Sequence, residues 1–184
     1  MKKFSKSYRN PIEIGQIAQC ALPTAISYLI NRFEEFIATD EFSGKHGNVE
    51  FVIAKSRTLE YHELATKIQH ICQETKTNIL VLFRRNVAKQ RNQHPFLQEL
   101  LQLHITWENL KYFHHQGYGI HIGTVHGTKG LEAEIVIIPE LDTYTSDENR
   151  QLLYVGMTRA RSRLILSACR STPLIRSLQE KSQQ

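Results

Sequence analysis

No apolar run in this 184-residue sequence approaches the roughly 20 residues that a helix needs to cross a bilayer, and the opening MKKFSKSYRN lacks the apolar core of a secretory signal. A membrane span is thereby excluded from the reading, and a cytoplasmic protein is expected. Cysteine is sparse: Cys20, Cys72 and Cys169 lie far apart with no C-x-x-C spacing, which argues against a disulfide scaffold, a zinc ribbon or a redox motif. No metal-ligand constellation is expected. No Pro/Gly/Ser-rich linker, internal repeat or low-complexity stretch divides the chain, so one domain over residues 1–184 is expected. Nor is there a large excess of one charge. The 23 Lys and Arg against 18 Asp and Glu give +5, a mild lean toward polyanions that by itself identifies no partner.

A phosphate-binding loop is also missing. Gly123 to Glu134, GTVHGTKGLEAE, looks like one, but the pattern G-x-x-x-x-G-K-[ST] needs a glycine before its lysine and a hydroxyl after it. Here Thr128 precedes Lys129 and Gly130 follows, so both positions where phosphate approach and Mg²⁺ ligation are decided are wrong.

What is present is alternation. Apolar, β-branched runs at Val49–Ala54, Ile79–Phe83, Ile120–Val125, Glu134–Pro139 and Arg163–Ala168 read as strands. Between them Leu59, His62, Ala65, Ile68 and Ile71, and then Leu97, Leu100 and Leu101, have helical spacing. Glu13 to Ala38 reads as two helices broken at Pro23, which removes a backbone donor and disfavours helical geometry in Leu22. Residues 1–40 are thus an N-terminal helical segment, and residues 175–184, ending in QEKSQQ, are expected to fray. Strands alternating with helices predict an α/β fold with a mostly parallel sheet flanked by helices. In such sheets ligands sit beyond the carboxyl ends of the strands, so the informative residues are expected to follow strands.

Four stretches in order, SYRNPIEI (Ser7–Ile14), ILVLFRRN (Ile79–Asn86), T-V-H-G-T-K-G-L-E (Thr124–Glu132) and L-L-Y-V-G-M-T-R-A (Leu152–Ala160), resemble the motifs of superfamily 1 helicases of the UvrD/Rep/PcrA type. The resemblance covers nearly the whole chain. It implies a RecA-like domain, the second, C-terminal half of a two-domain ATP motor. The first RecA-like domain, with the phosphate-loop lysine and the residues that hold Mg²⁺, is not in this sequence, so the chain is expected to be a piece of a longer protein.

By that resemblance Tyr8 stacks on adenine and Arg9 reaches the γ-phosphate of ATP. Glu132 holds the ribose hydroxyl, and Arg159 is an arginine finger delivered across the cleft. Thr124 and His126 touch the phosphates of single-stranded DNA, with Arg84 and Asn86 as further contacts. The residue types suit these tasks: a flat ring for stacking, a planar fork of donors for phosphoryl oxygen, and a carboxylate accepting from a hydroxyl. Arg159 is expected on a helix that packs Leu152, Leu153, Val155 and Met157 on the sheet. Asn10 stands where the family has serine, and Ala133 where it usually has an aromatic.

Arg161 and Arg163 read as solvated charges, His114 and His115 as exposed loop residues, and Trp107 as core. The family's large helical insertion has no counterpart, since only Val87 to Gly119 fills its place. Two relatives therefore remain open alongside the DNA helicase: a HelD-like factor acting on RNA polymerase, and a non-catalytic nucleic-acid-binding module. The S-Y-R spelling favours the HelD-like factor, T-x-H favours the translocase, and two phosphate arginines together with a ribose glutamate disfavour the inert module.

Overall fold

In the computed structural model the strand Asn78–Phe83 (β2) is buried along its whole length and lies inside a six-stranded sheet. The structure describes residues 10–23, 47–115 and 117–183, so Tyr8, Arg9 and the second helix expected after Pro23 lie outside the described residues. The other strands are β1 (Asn48–Ile53), β3 (Glu108–Asn109), β4 (Gly119–Thr124), β5 (Ala133–Ile138) and β6 (Ala160–Ala168). Their order is β1-β6-β5-β2-β4-β3, and every pairing is parallel.

A parallel sheet covered on both faces needs strands that are apolar on both sides, which is why the strands read as continuous runs. Along β2, Leu80 and Leu82 join the core on one face, while Ile79, Val81 and Phe83 join the other. The five runs anticipated from the sequence are all strands. The sixth, β3, is too short to give a period.

Five α-helices cover the sheet among the described residues: α1 (Ile12–Ala21), α2 (Arg57–Glu74), α3 (Pro95–Gln102), α4 (Asp147–Met157) and α5 (Pro173–Ser182). The first face carries α1, α4 and α5; the second carries α2 and α3. Helix α1 stops where proline requires it, with Leu22 extended before Pro23. Its open carbonyls are capped from afar: Arg150 on α4 donates to Ala21 O at 3.0 Å and to Leu22 O at 2.9 Å.

Two expectations change. The buried stripe of α2 is Tyr61, Leu64, Ala65, Ile68 and Ile71, whereas Leu59 and His62 face solvent, a shift of the stripe around the helix axis. The tail from residue 175 does not fray as far as residue 182. Thr172 caps α5, Pro173 pre-sets its first turn, and Ile175 and Leu178 bury themselves in the same core as α1. Two buried apolar residues on a capped helix hold the segment despite the polarity of QEKSQQ. Trp107 packs partly buried against the second core, and His114 and His115 are exposed, as expected. Among the described residues no helix is long and apolar enough to cross a membrane.

Candidate functional site

The segment from Val125 to Glu132 has to travel the full height of the sheet, because β4 ends where its strands end and β5 begins where they begin. One motif is therefore stretched over two edges. At the carboxyl edge, Thr124 closes β4 and caps a single 3-10 turn, Val125–Thr128, by accepting from Gly127 N at 3.3 Å. Thr128 locks the turn from inside, donating to Val125 O at 2.6 Å. His126 is left exposed on the outside of the turn. Gly130 then takes a φ of +79°, the left-handed geometry that favours glycine, and turns the chain toward β5.

Arg84 and Asn86 leave the end of β2, next to β4, on the same edge. Arg84 is half-buried and donates to Thr143 Oγ1 at 3.3 Å; Arg85 and Asn86 are exposed. The turn that holds Arg84 is itself pinned. Glu140 adopts left-handed geometry, φ 60° and ψ 36°, which costs energy in a residue with a β-carbon. Its amide donates to Glu60 at 2.9 Å, Tyr61 OH bonds its carboxylate, and its carbonyl accepts from Thr143 Oγ1 at 2.8 Å.

Glu60 is fully buried and also accepts from Ser167 Oγ at 2.6 Å, while Arg57 bonds both it and Asp142. Burial pushes the Glu60 carboxyl up, with Ser167, the Glu140 amide and Arg57 offsetting only part of the cost. Asp142 is also buried, but the Arg57 guanidinium outweighs that burial and holds it below the usual carboxylate value. Burial and the neighbouring Glu140 carboxylate push the Tyr61 hydroxyl upward. Glu60, Asp142 and Cys169 come close enough to share a cation, yet both carboxylates already hold Arg57, so the cluster is a buried ion network. Nothing in the sequence pattern pointed to it: Glu60 reads as one more polar residue on an amphipathic helix.

Glu132 and Arg159 lie at the opposite, amino edge, which corrects the expectation that the site residues would all follow strand ends. The reason is topological. Glu132 immediately precedes β5, Arg159 immediately precedes β6, and the two strands are neighbours with Ala133 opposite Ala160. Arg159 is also not on a helix. Helix α4 ends at Met157, and Arg159 stands in the turn that follows, its Nε donating to Val155 O at 3.0 Å. Leu153, Gly156 and Met157 face the core, while Val155, expected there, is exposed.

Three separated motifs meet at this turn. Asn10 Nδ2 donates to Thr158 O and to Ala160 O, both at 3.0 Å, and Ala133 N donates to Arg159 O at 3.1 Å. Asn10 therefore clamps the turn that carries Arg159. The residue just before it in sequence is Arg9. Glu132 is oriented by Arg161, whose Nε lies 3.2 Å from Oε2, so Arg161 is not the plain solvated charge expected; Arg163 likewise pairs with Glu50. Glu132 lines a polar cavity of about 140 Å³. A larger groove of about 620 Å³ lies beside α2 and β1, away from every motif residue.

Residues 119–167 match the family model of the UvrD-like helicase C-terminal domain. Among curated proteins none matches. A solved structure described as the C-terminal domain of a possible DNA helicase from Lactobacillus plantarum WCFS1 is similar over 94% of both chains, with a TM-score of 0.63 and 20% identity, a likeness that establishes the fold. The T-x-H to T-R-A stretch thus lies inside the residues similar to a UvrD-like helicase C-terminal domain, on a sheet whose fold the solved structure shares.

Proposed function

We propose that this domain is the second half of an ATP-driven translocase on single-stranded DNA, working against a first RecA-like domain that supplies the phosphate-loop lysine and the Mg²⁺ ligands. The observation that carries the reading is the meeting of Asn10, Ala133 and Arg159 in three hydrogen bonds at one edge. Residues more than a hundred positions apart are held there around one arginine.

Arg159 has its Nε on Val155 O, and among the described residues no carboxylate pairs with it. Its terminal amino groups are thus suited to the oxygens of a transferring phosphoryl group, where a planar fork of donors stabilises developing charge. Arg9 would add a second cation and Tyr8 the adenine platform. Glu132 would take the ribose: a carboxylate has about four acceptor sites, so the Arg161 pair and a ribose hydroxyl are compatible. A nucleotide bound between two domains needs no deep pocket in either one, consistent with the shallow cavity here.

On the far edge Thr124, His126, Arg84 and Asn86 would meet the strand's phosphates. The crossing segment Val125–Glu132 joins the two edges directly, so a change at the nucleotide has a short covalent route to the track.

The test is ATP hydrolysis by this chain alone and by the polypeptide that includes the first RecA-like domain, each with and without single-stranded DNA. No turnover is expected from the chain alone, and DNA-stimulated turnover from the two domains together. Turnover by the chain alone, or two-domain turnover indifferent to DNA, would overturn the proposal.

A further inference from the structure

We infer that Lys111 and Tyr112 extend the single-strand track by one strand, Tyr112 as a stacking platform for a base and Lys111 as a phosphate contact. The inference rests on reading Thr124 and His126 as the single-strand contacts.

Register places the pair there. Strand β3 runs parallel to β4 with Glu108 opposite His121 and Asn109 opposite Ile122, so the turn Leu110–Tyr112 leaves β3 at the same edge of the sheet at which Thr124 closes β4. Packing fixes the position. A β-carbon on Gly123 would stand 2.5 Å from Leu110 Cβ, and one on Gly127 would stand 3.3 Å from Leu110 Cδ2. Leu110 is therefore seated on the turn that displays His126, and glycine at position 123 is what allows it.

The turn Leu110–Tyr112 is stiff as well as close. Asn109 caps it by accepting from Lys111 N at 3.1 Å, and Phe113 N closes it on Leu110 O at 3.0 Å. Leu110 is buried, whereas Tyr112 is 56% exposed, an aromatic ring in water on a fixed backbone. The Lys111 ammonium lies 4.6 Å from the ring centroid, so a cation and a π surface are offered together. Surfaces that bind single strands without sequence preference combine these two features.

The sheet order β2-β4-β3 completes the case. Arg84 and Asn86, then Thr124 and His126, then Lys111 and Tyr112 leave three successive strand ends. Adjacent strands are about 4.8 Å apart, so the three pairs form one line about 10 Å long.

Anisotropy of a labelled oligothymidine, with an abasic strand of equal length as the second probe, tests this. Tyr112→Ala is expected to weaken oligothymidine binding by about 5-fold or more and to leave the abasic strand unchanged, since an exposed stacking platform acts only on bases. Tyr112→Phe should bind as the parent does. Lys111→Ala should weaken both probes and lower the slope of log K against log salt by about one. If His126→Ala weakens binding while Tyr112→Ala does not, or if Tyr112→Ala weakens both probes equally, the stacking assignment falls and the reading of Thr124 and His126 stands. If the parent binds neither probe, both fall together.

Discussion

The two edges of the sheet are built on opposite principles. At the carboxyl edge the buried carboxylates Glu60 and Asp142 are tied together by Arg57, and Glu60 accepts from the amide of the left-handed Glu140, whose carbonyl in turn holds Thr143 against Arg84. At the amino edge, among the described residues, no buried charge holds Arg159; one neutral amide, Asn10, and two backbone bonds, Arg159 N to Gly156 O and Ala133 N to Arg159 O, hold the turn while the guanidinium stays half exposed. Burying a charge is costly unless it is paired, but the pairing over-determines geometry. The difference suits the proposed roles: a track that has to keep its shape, and an arginine that meets its partner only when another domain closes on it.

The largest expected effect would break this comparison at the amino edge. In the two-domain enzyme Arg159→Ala should lower kcat by about 10³–10⁵, toward the low end if Arg9 remains as a second cation, with a much smaller change in nucleotide affinity. Arg159→Lys should rescue poorly, because a point charge does not reproduce the fork. Near-normal DNA-stimulated turnover in the alanine variant would remove the arginine-finger assignment.

At the other edge Asp142→Asn should destabilise the fold by about 3–5 kcal/mol in urea unfolding, since Arg57 would keep its charge and lose its best acceptor. A loss of only a few tenths would mean that water reaches Arg57 and that the network is not what stiffens the track. Asn10→Ala should cost less, about 1–3 kcal/mol, by leaving Thr158 O and Ala160 O without their donor. In the two-domain enzyme it should lower kcat as well, because the turn that carries Arg159 loosens. Lost stability with unchanged kcat would sever Asn10 from the nucleotide site.

The smallest effect is on pH dependence. Asp142 has a depressed pKa, so its contribution is present above the ordinary carboxylate value of about 3.9 and is lost as pH falls through its lower folded value. Glu60 is raised, so its contribution is present below about 4.3 and is lost as pH rises through its higher folded value. Unfolding midpoints from about pH 3 to 8 should therefore flatten on the acid side in Asp142→Asn and on the rising side in Glu60→Gln. Parallel curves for both variants would mean that neither group titrates with folding.

Much of the candidate site was legible before the fold was known, because it lies in short runs where spacing is local. Thr124, His126 and Glu132 lie within nine residues, and the hydroxyl, imidazole and carboxylate needed for their proposed tasks can be read one by one. Tyr112 was not legible. Its neighbours YFHHQG give no period, and only the β3–β4 pairing and the seat of Leu110 against Gly123 and Gly127 bring its turn to the end of β4. Arg150 was equally hidden, since a side chain that caps a helix more than a hundred residues away leaves no mark in its own helix.

What the sequence by itself determined is the alternation of strand and helix. Runs of β-branched residues suit strands buried on both faces of a parallel sheet, and Pro23, after ten residues of helical pattern, disfavours helical geometry in Leu22. Sheet order, and with it the placing of Glu132 and Arg159 before two neighbouring strands, was decided by the tertiary structure. Strand order depends on which crossover packs where, a long-range choice to which no window of residues is sensitive. Burial likewise made Glu60 and Asp142 structural, because a carboxylate's cost and its partners exist only once water has been excluded around it.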